Sequence, residues 1–353
     1  MEKSIKIFEE LTSLDATSGF ESEVANYLIE KLQPYADEIK RDNLGGVYAI
    51  KKSKNKNAKT VMVAAHMDEV GFMVTKVLPN GFLKFDTLGG FREDVLLAQK
   101  FTITTVSGDK FVGVIPSIPK HFVGGMQQSV KISDMTLDIG ASSEAEVREW
   151  GIKEGDFVVP KTDFERLSNN RIMAKAFDNR YGCVLITELL EEVANTELDC
   201  NLVVCATVQE EVGLRGATIA ANMINPDLCL VVDCSPANDM DGKSTSNGKL
   251  GEGFLVRLMD RTMILRANLR EKIVSLAEDN NIKYQYFTSP GGTDAGAIHQ
   301  AQLGIPTAVI GICGRYIHTH NSIIDIRDYL AAKNIVSKLV FSVNDTFIDD
   351  IRL

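Results

Sequence analysis

The chain has 353 residues, which at roughly 150 residues per domain predicts about two domains. Its content of 44% hydrophobic and 24% charged residues is typical of a globular protein and excludes disordered and collagen-like chains. No apolar run is long enough to predict a membrane-spanning helix, and the formal net charge of -10 argues against nucleic acid or an anionic membrane surface as a partner.

Two features of the sequence indicate a reducing compartment. The first ten residues contain acids where a signal peptide needs an apolar run, so we expect a cytoplasmic protein. The six cysteines form no Cys-x-x-Cys pair and lie in apolar, strand-like runs. This pattern predicts buried thiols.

The first part of the chain, up to residue 68, contains both helical and strand patterns. Helical patterns at 2–13 and 22–36 precede strand patterns at 47–51 and 60–67. The last of these is a nearly continuous apolar run, which is typical of a central strand buried on both faces.

The pattern changes in residues 69–164, where short alternating segments are separated by turn residues. This predicts a compact β-rich domain with one helix, at 142–150. Because α/β patterns lie on both sides, we interpret it as an insertion into a loop of a larger domain formed by residues 1–68 and 165–353.

The α/β pattern resumes in residues 165–353. Helices are predicted at 178–194, 214–224, 262–279, 295–300 and 325–342, and strands at 201–208, 228–232, 254–259, 284–287 and 307–312. This alternation predicts an α/β fold with a mostly parallel sheet in a three-layer arrangement.

Histidine and carboxylate residues follow several of the predicted strands, and one opens a predicted helix. They are His66, Asp68, Asp178, Glu210, Glu211, Asp233 and His318. The carboxyl ends of parallel strands meet at one edge of a sheet, and so many carboxylates in one layer need a cation to compensate their charge. Imidazole with carboxylate suits zinc, cobalt or manganese, and a carboxylate can bridge two such ions. The sequence therefore predicts a two-metal site.

Glu210 and Glu211 are adjacent, and neighbouring residues in extended backbone point in opposite directions. Two different roles, one as a metal ligand and one as a general base for a metal-bound water, fit this geometry better than one shared role. A Glu-Glu pair taken alone fits a solvated turn equally well.

Six stretches in this order resemble the glutamyl aminopeptidase family, the tetrahedral co-catalytic metallo-aminopeptidases. They are Ala65–Phe72, Ala176–Arg180, Val208–Ala217, Val232–Ala237, Gly291–Gly296 and Arg315–His318. The resemblance covers essentially the whole chain. It implies a zinc-peptidase-like α/β domain interrupted by a β-barrel-like dimerisation domain, with dimers that assemble into a dodecamer.

The resemblance also implies a ligand set for two divalent ions, zinc in the first instance with cobalt or manganese as alternatives. His66 and Asp233 would bind one ion and Glu211 and His318 the other, with Asp178 as the bridging ligand. His320 could compete with His318, but the spacing to Tyr316 favours His318.

The reaction that the resemblance implies is removal of an N-terminal residue, preferably an acidic one, from peptides. Glu210 would be the general base and Asp68 the carboxylate that orients His66. An acidic substrate side chain needs a cation in its pocket, and Arg257 is the candidate, although a structural role fits it equally well. The backbone of Gly292 is the candidate lining of the substrate cleft.

Two alternative functions remain open from the sequence. One is another metallohydrolase on the same scaffold, such as a deacylase, carboxypeptidase or glycosidase, and the other is an assembly protein without activity. His121 and His299 fit structural roles, and Asp134 and Asp294 fit helix-cap or loop positions better than metal-ligand positions.

Overall fold

The computed structural model describes residues 1–122, 130–243 and 247–352. Among these residues there is no helix with the length and apolar character needed to cross a membrane. The helices of the described residues are α1 (Glu2–Ser13), α2 (Ser22–Leu32), α3 (Glu144–Glu149), α4 (Phe177–Val193), α5 (Arg215–Ile224), α6 (Ala267–Asp279), α7 (Asp294–Ile298), α8 (Ile326–Ser342) and α9 (Asp345–Arg352). The strands are β1 (Glu38–Arg41), β2 (Val47–Lys51), β3 (Thr60–His66), β4 (Gly71–Val77), β5 (Leu83–Leu88), β6 (Lys100–Thr104), β7 (Lys110–Val114), β8 (Phe157–Pro160), β9 (Glu165–Arg166), β10 (Arg171–Ala174), β11 (Asn201–Thr207), β12 (Leu228–Pro236), β13 (Phe254–Met259), β14 (Tyr284–Thr288), β15 (Thr307–Gly314) and β16 (Ser322–Asp325).

The largest sheet has eight strands in the order β1-β2-β11-β3-β12-β15-β13-β14. Its centre is parallel, since β11, β3, β12 and β15 run in one direction. Almost every residue of these four strands is buried, so both faces of the sheet are covered. Helices α4 and α8 contact each other and the sheet, as do α5 and α7. This is the predicted three-layer α/β architecture.

A second, five-stranded sheet has the order β5-β4-β8-β6-β7, and all of its strand pairs are antiparallel. Leu137 pairs with Leu83 on one edge strand, and the next residue, Asp138, pairs with Val114 on the other edge strand. These two consecutive residues therefore join both edges of the sheet. This closure gives the sheet its barrel-like form. It encloses a hydrophobic cluster of its own, separate from the cluster around the large sheet.

A three-stranded sheet, β16-β10-β9, lies where the chain returns from the five-stranded sheet. The structure also corrects one predicted element: the helix expected from residue 262 begins only at Ala267. The Asp260 side chain accepts hydrogen bonds from the backbone N–H groups of Thr262 and Met263 and holds these residues in a turn. All six cysteines are free and buried, as predicted.

Candidate metal centre

The carboxyl ends of the central strands bring the predicted metal-binding side chains together. His66 is the last residue of β3, and it pairs with Thr207 at the end of the parallel strand β11, just before Glu210. Asp233 lies near the end of β12 and His318 follows β15. Asp178 is at the start of α4, where its backbone is not yet helical. Parallel pairing thus places these distant residues at one edge of the sheet.

Two groups of three side chains meet at this edge and share one member. His66, Asp178 and Asp233 form one group, and Asp178, Glu211 and His318 form the other, with the ligand atoms of each group within 4.8 Å of one another. One carboxylate oxygen of Asp178 lies 3.2 Å from His66 Nε2, and the other lies 3.4 Å from His318 Nε2. Asp178 therefore faces both groups at once.

Glu210 belongs to neither group, although its carboxylate lies beside them, 4.0 Å from His66 Nε2. It lines a cavity of about 310 Å³. The other residues around this cavity are His66, Asp178, Glu211, Asp233, Cys234, Pro236, Arg257, Ser289, Pro290, Gly291, Gly292, Thr293, Ile317 and His318. The carboxylates of the two adjacent glutamates therefore have different positions: Glu211 belongs to one group of three, and Glu210 lies beside the groups.

Asp68 is fully buried, and His66 is not its only partner among the described residues. His66 Nδ1 lies 3.0 Å from the backbone oxygen of Asp68 and 3.5 Å from its carboxylate. The carboxylate accepts hydrogen bonds from the backbone N–H groups of Glu210 and Glu211, and from the hydroxyl of Ser18. Asp68 therefore fixes both the His66 ring and the backbone that carries the two glutamates.

Three buried carboxylates at this edge, Glu210, Glu211 and Asp233, hold their protons more tightly than usual. The burial of Asp178 is instead outweighed by hydrogen bonds from His318 and His66, which lower the pKa of Asp178. Burial, together with the charge of Asp178, raises the pKa of Glu211 to about 8 and that of Asp233 to about 7. Burial also raises the pKa of Glu210. Burial alone would lower the pKa of His318, but its hydrogen bond to Asp178 and the charge of Glu211 raise it to about 9. The edge has an excess of negative charge that its two imidazoles do not compensate.

These residues fit a pair of divalent metal ions. Imidazole nitrogens and carboxylate oxygens are the donors that zinc, cobalt and manganese prefer. Glu211 Oε1 is buried and has no hydrogen-bond partner among the described residues, which is expected of an atom that coordinates a cation. A cation would also compensate the excess negative charge.

Arg257 and Gly292 both line the cavity, but they differ in exposure. Gly292 is exposed, whereas only 2% of Arg257 is exposed. The Arg257 guanidinium donates hydrogen bonds to Asp260 and to the hydroxyl of Ser235, which compensates part of its charge. Its Nε–H is buried and has no partner among the residues described.

Three other residues considered in the sequence, His320, His299 and Asp294, have structural contacts. His320 is buried, and its Nε2 lies 2.7 Å from the backbone oxygen of Lys100, so it faces the five-stranded sheet and not the metal-binding groups. His299 Nε2 lies 2.8 Å from the backbone oxygen of Thr262. The prediction for Asp294 is wrong: it is not a cap or loop acid but the buried first residue of α7, and Thr293 is the cap.

One contribution to the site was missed from the sequence. The loop after β5, in the five-stranded sheet, reaches the metal-binding edge, where the backbone oxygen of Gly90 lies 2.8 Å from His318 Nδ1. Gly89 has a φ of +92°, and a Cβ atom there would approach Val70 to 2.7 Å and Glu211 to 3.2 Å. The Gly-Gly doublet after a predicted strand was the available signal for a close backbone approach.

The comparisons with known proteins agree with this geometry. The family model for the M42 glutamyl aminopeptidases matches residues 45–335. The chain belongs to this family. A glutamyl aminopeptidase of Lactococcus lactis is 41% identical over 97% of this chain and 97% of its own length. A lysyl aminopeptidase of Pyrococcus furiosus is 31% identical over 92% of each chain, so the family includes proteins named for opposite side-chain charges.

Solved structures of family members have the same fold. The TET aminopeptidase of a marine sediment Thaumarchaeota archaeon is 37% identical, covers 99% of both chains and has a TM-score of 0.94. The TET1 peptidase of Pyrococcus horikoshii, described as able to assemble into a tetrahedron or a large octahedral shell, is 27% identical with a TM-score of 0.87. It covers 96% of this chain and all of that one. The aminopeptidase family and its zinc-peptidase-like fold are thus established for this chain.

A buried glutamate beside the site gives a testable pH dependence. Only 5% of Glu21 is exposed, and its Oε1 accepts hydrogen bonds from the backbone N–H groups of Gly19 and Gln209. Burial, and then the charge of Asp68, raises the pKa of Glu21 from 4.5 to about 7. The folded state therefore binds this proton more tightly than the unfolded state does. The resulting stabilisation is complete below pH 4.5 and is lost as the pH rises to about 7.

We expect Glu21→Gln to remove this dependence, because an amide oxygen can accept the same two hydrogen bonds and does not titrate. Relative to the wild type, the variant should gain roughly 2 to 3 kcal/mol in the free energy of unfolding between pH 4.5 and 7.5. Thermal unfolding at several pH values, in excess metal, measures the difference. Glu149→Gln, at an exposed glutamate, is the matched control and should give a constant difference. A constant difference for Glu21→Gln as well would contradict the prediction.

Proposed function

We propose that the protein is a two-metal aminopeptidase that removes N-terminal residues from peptides, preferentially glutamate and aspartate. The observation that carries the proposal is the pair of three-residue groups that share Asp178, with Glu210 beside them and outside both. A glycosidase would need two carboxylates facing one another across a sugar ring, whereas here Glu211 lies within a metal-binding group.

In this proposal each group of three holds one divalent ion, zinc in the first instance. His66 and Asp233 hold one ion, Glu211 and His318 hold the other, and Asp178 is the shared ligand. Bound ions would supply Lewis acidity toward the attacking water and the substrate carbonyl. Asp68 keeps the His66 ring in place and fixes the backbone of Glu211, so the ligand positions do not depend on metal binding alone.

Glu210 is the proposed general base. Its carboxylate lines the cavity, and no hydrogen bond from another described side chain occupies it. Burial raises its pKa, so the carboxylate can take a proton from the attacking water and return it to the leaving amine. The hydrogen bond from the Glu210 backbone N–H to Asp68 keeps this carboxylate at the edge of the two groups.

The free amino group of the substrate is the proposed recognition element that makes the enzyme an exopeptidase. Three of the four carboxylates in the cavity wall, Asp178, Glu211 and Asp233, are proposed metal ligands and Glu210 is the proposed base, so a bound metal ion would be the partner of the free amino group. A peptide with a blocked N-terminus lacks this group and should not be cleaved.

The preference for an acidic side chain is proposed from Arg257, a cation in the wall of the same cavity with a buried, unpartnered Nε–H. We expect Glu and Asp anilides to be cleaved with at least about tenfold higher kcat/KM than Leu and Lys anilides, because a charged hydrogen bond to a buried guanidinium contributes roughly 1.5 to 3 kcal/mol. The measurement is kcat/KM for these four substrates, each with a free and an acetylated N-terminus. The enzyme should first be reconstituted with zinc, cobalt or manganese.

Two variants link the preference to its residue. Arg257→Met should lower the Glu/Leu ratio to near one, whereas Arg315→Met, at an arginine paired with Asp239 outside the cavity wall, should leave the ratio high. A wild-type enzyme that prefers Leu or Lys would overturn the glutamyl assignment while leaving an aminopeptidase. Equal cleavage of acetylated substrates would overturn the aminopeptidase itself.

We also propose that residues 69–164 form an inserted dimerisation domain between the two parts, 1–68 and 165–353, of the catalytic domain, and that dimers assemble into a dodecamer in the cytoplasm. Support comes from the separate hydrophobic cluster of the five-stranded sheet and from its exposed apolar side chains. Val112, Ile118 and Phe122 are 49%, 63% and 75% exposed, and such a surface is typical of a protein interface.

A further inference from the structure

A second cavity adjoins the metal-binding edge at His318. It has a volume of about 370 Å³ and is lined by residues of the loop after β5 and of the loop after β15: Gly90, Phe91, Arg92, Val95, Ile317, His318 and Thr319. It shares Ile317 and His318 with the first cavity, so these two residues border both cavities.

The lining of this cavity differs from that of the first. Phe91, Val95 and Ile317 provide apolar walls that are only partly buried, and none of the described residues in the lining is a carboxylate. The one cationic side chain, Arg92, is exposed and pairs with Asp94 at 2.5 Å. The cavity therefore suits an apolar group.

The walls are held at a fixed position relative to the metal-binding groups. Gly90 contacts His318 through its backbone oxygen, and Gly89 packs closely against Glu211. The Phe91 ring packs on the Phe72 ring inside the five-stranded sheet, with the ring centroids 4.8 Å apart. The cavity is thus a fixed neighbour of the site.

We infer that this second cavity binds the side chain of the residue that follows the scissile bond, and that it selects apolar residues there. The inference rests on the proposed aminopeptidase function. The N-terminal residue lies in the first cavity, because that cavity is lined by Glu210, the proposed base, and by Arg257, the proposed partner of the substrate side chain. The peptide then leaves past His318, which borders both cavities, and its second side chain enters the apolar one. Val95 is a specificity residue in this arrangement.

The test uses dipeptides that share one N-terminal residue and differ in the second. For the wild type we expect kcat/KM to be at least about tenfold higher with Leu or Phe at the second position than with Gly, Asp or Lys, the range that burial of one apolar side chain supplies. Val95→Phe fills the cavity and should reverse the order of Phe and Gly. Val95→Asp places a carboxylate in the wall and should make Lys the preferred second residue, a gain that misfolding cannot produce.

The matched controls are Val106→Phe and Val106→Asp, at a valine of the same domain that is 74% exposed in the β6–β7 turn. They should retain the wild-type order. Aminoacyl amides, which have no second side chain, separate the two proposals. If amides are cleaved but the second residue has no effect, or if neither Val95 variant changes the order, the second-cavity assignment is wrong. If no substrate with a free amine is cleaved, the proposed function fails and the inference fails with it.

Discussion

Glu210→Gln should lower kcat by a factor of about 10² to 10⁴ while the enzyme keeps its metal ions. The amide has nearly the same size and shape as the carboxylate but cannot accept a proton from water. Glu210 lies outside both three-residue groups, so its replacement leaves every proposed ligand in place. The contact between the Glu210 backbone N–H and Asp68 does not involve the side chain and should persist.

The neighbouring glutamate provides the comparison for this experiment. Glu211→Gln changes a proposed ligand that is buried in the second group, so it should lower the metal content as well as kcat. Metal analysis after dialysis, together with kcat and KM on the preferred anilide, distinguishes the two variants. Near-native turnover of Glu210→Gln would rule out the base assignment. Loss of metal from Glu210→Gln would instead make Glu210 a ligand.

The residues that the sequence identified are those whose position follows from local pattern and topology. His66 and Asp233 lie at the ends of apolar runs, and such runs become buried parallel strands whose carboxyl ends share one edge. These two positions need only the spacing of residues along the chain. The separation of Glu210 from Glu211 was predicted for the wrong reason, because both residues lie beyond the end of β11, in a loop and turn that follow Gln209 with its φ of +55°, and not in extended backbone.

The contacts that the sequence did not show depend on distant segments packing together. The loop after β5 in the barrel-like sheet places Gly90 against His318, although more than two hundred residues separate them in the sequence. No local sequence pattern predicts this contact. The Asp68 carboxylate supports the backbone of the two glutamates in addition to His66. Arg257 is buried and donates a hydrogen bond to Asp260, which lies just after β13. Asp260 begins a short turn, and the sequence pattern predicts the start of a helix within this turn.

Asp178→Asn should have the other large effect, because Asp178 is the one side chain common to both groups. An amide has a single acceptor oxygen, whereas the Asp178 carboxylate presents one oxygen to His66 and the other to His318. The charge that lowers the electrostatic cost of placing two cations side by side is also lost. We expect at least a 100-fold drop in affinity for about one of the two ions, and a fall in kcat of about 10² or more. Metal titration of the apo enzyme and kcat at saturating metal measure the two effects.

Asp294→Asn is the matched control for Asp178→Asn. Asp294 is a buried aspartate of the same region whose carboxylate accepts a hydrogen bond from Thr207, a bond that the amide oxygen of asparagine can also accept. It belongs to neither three-residue group, so its replacement should leave both ions bound with near wild-type affinity. If Asp178→Asn binds two ions as tightly as the wild type does, Asp178 is not the shared ligand. If both variants lose metal equally, the effect comes from the buried charge of the region and not from a bridging carboxylate.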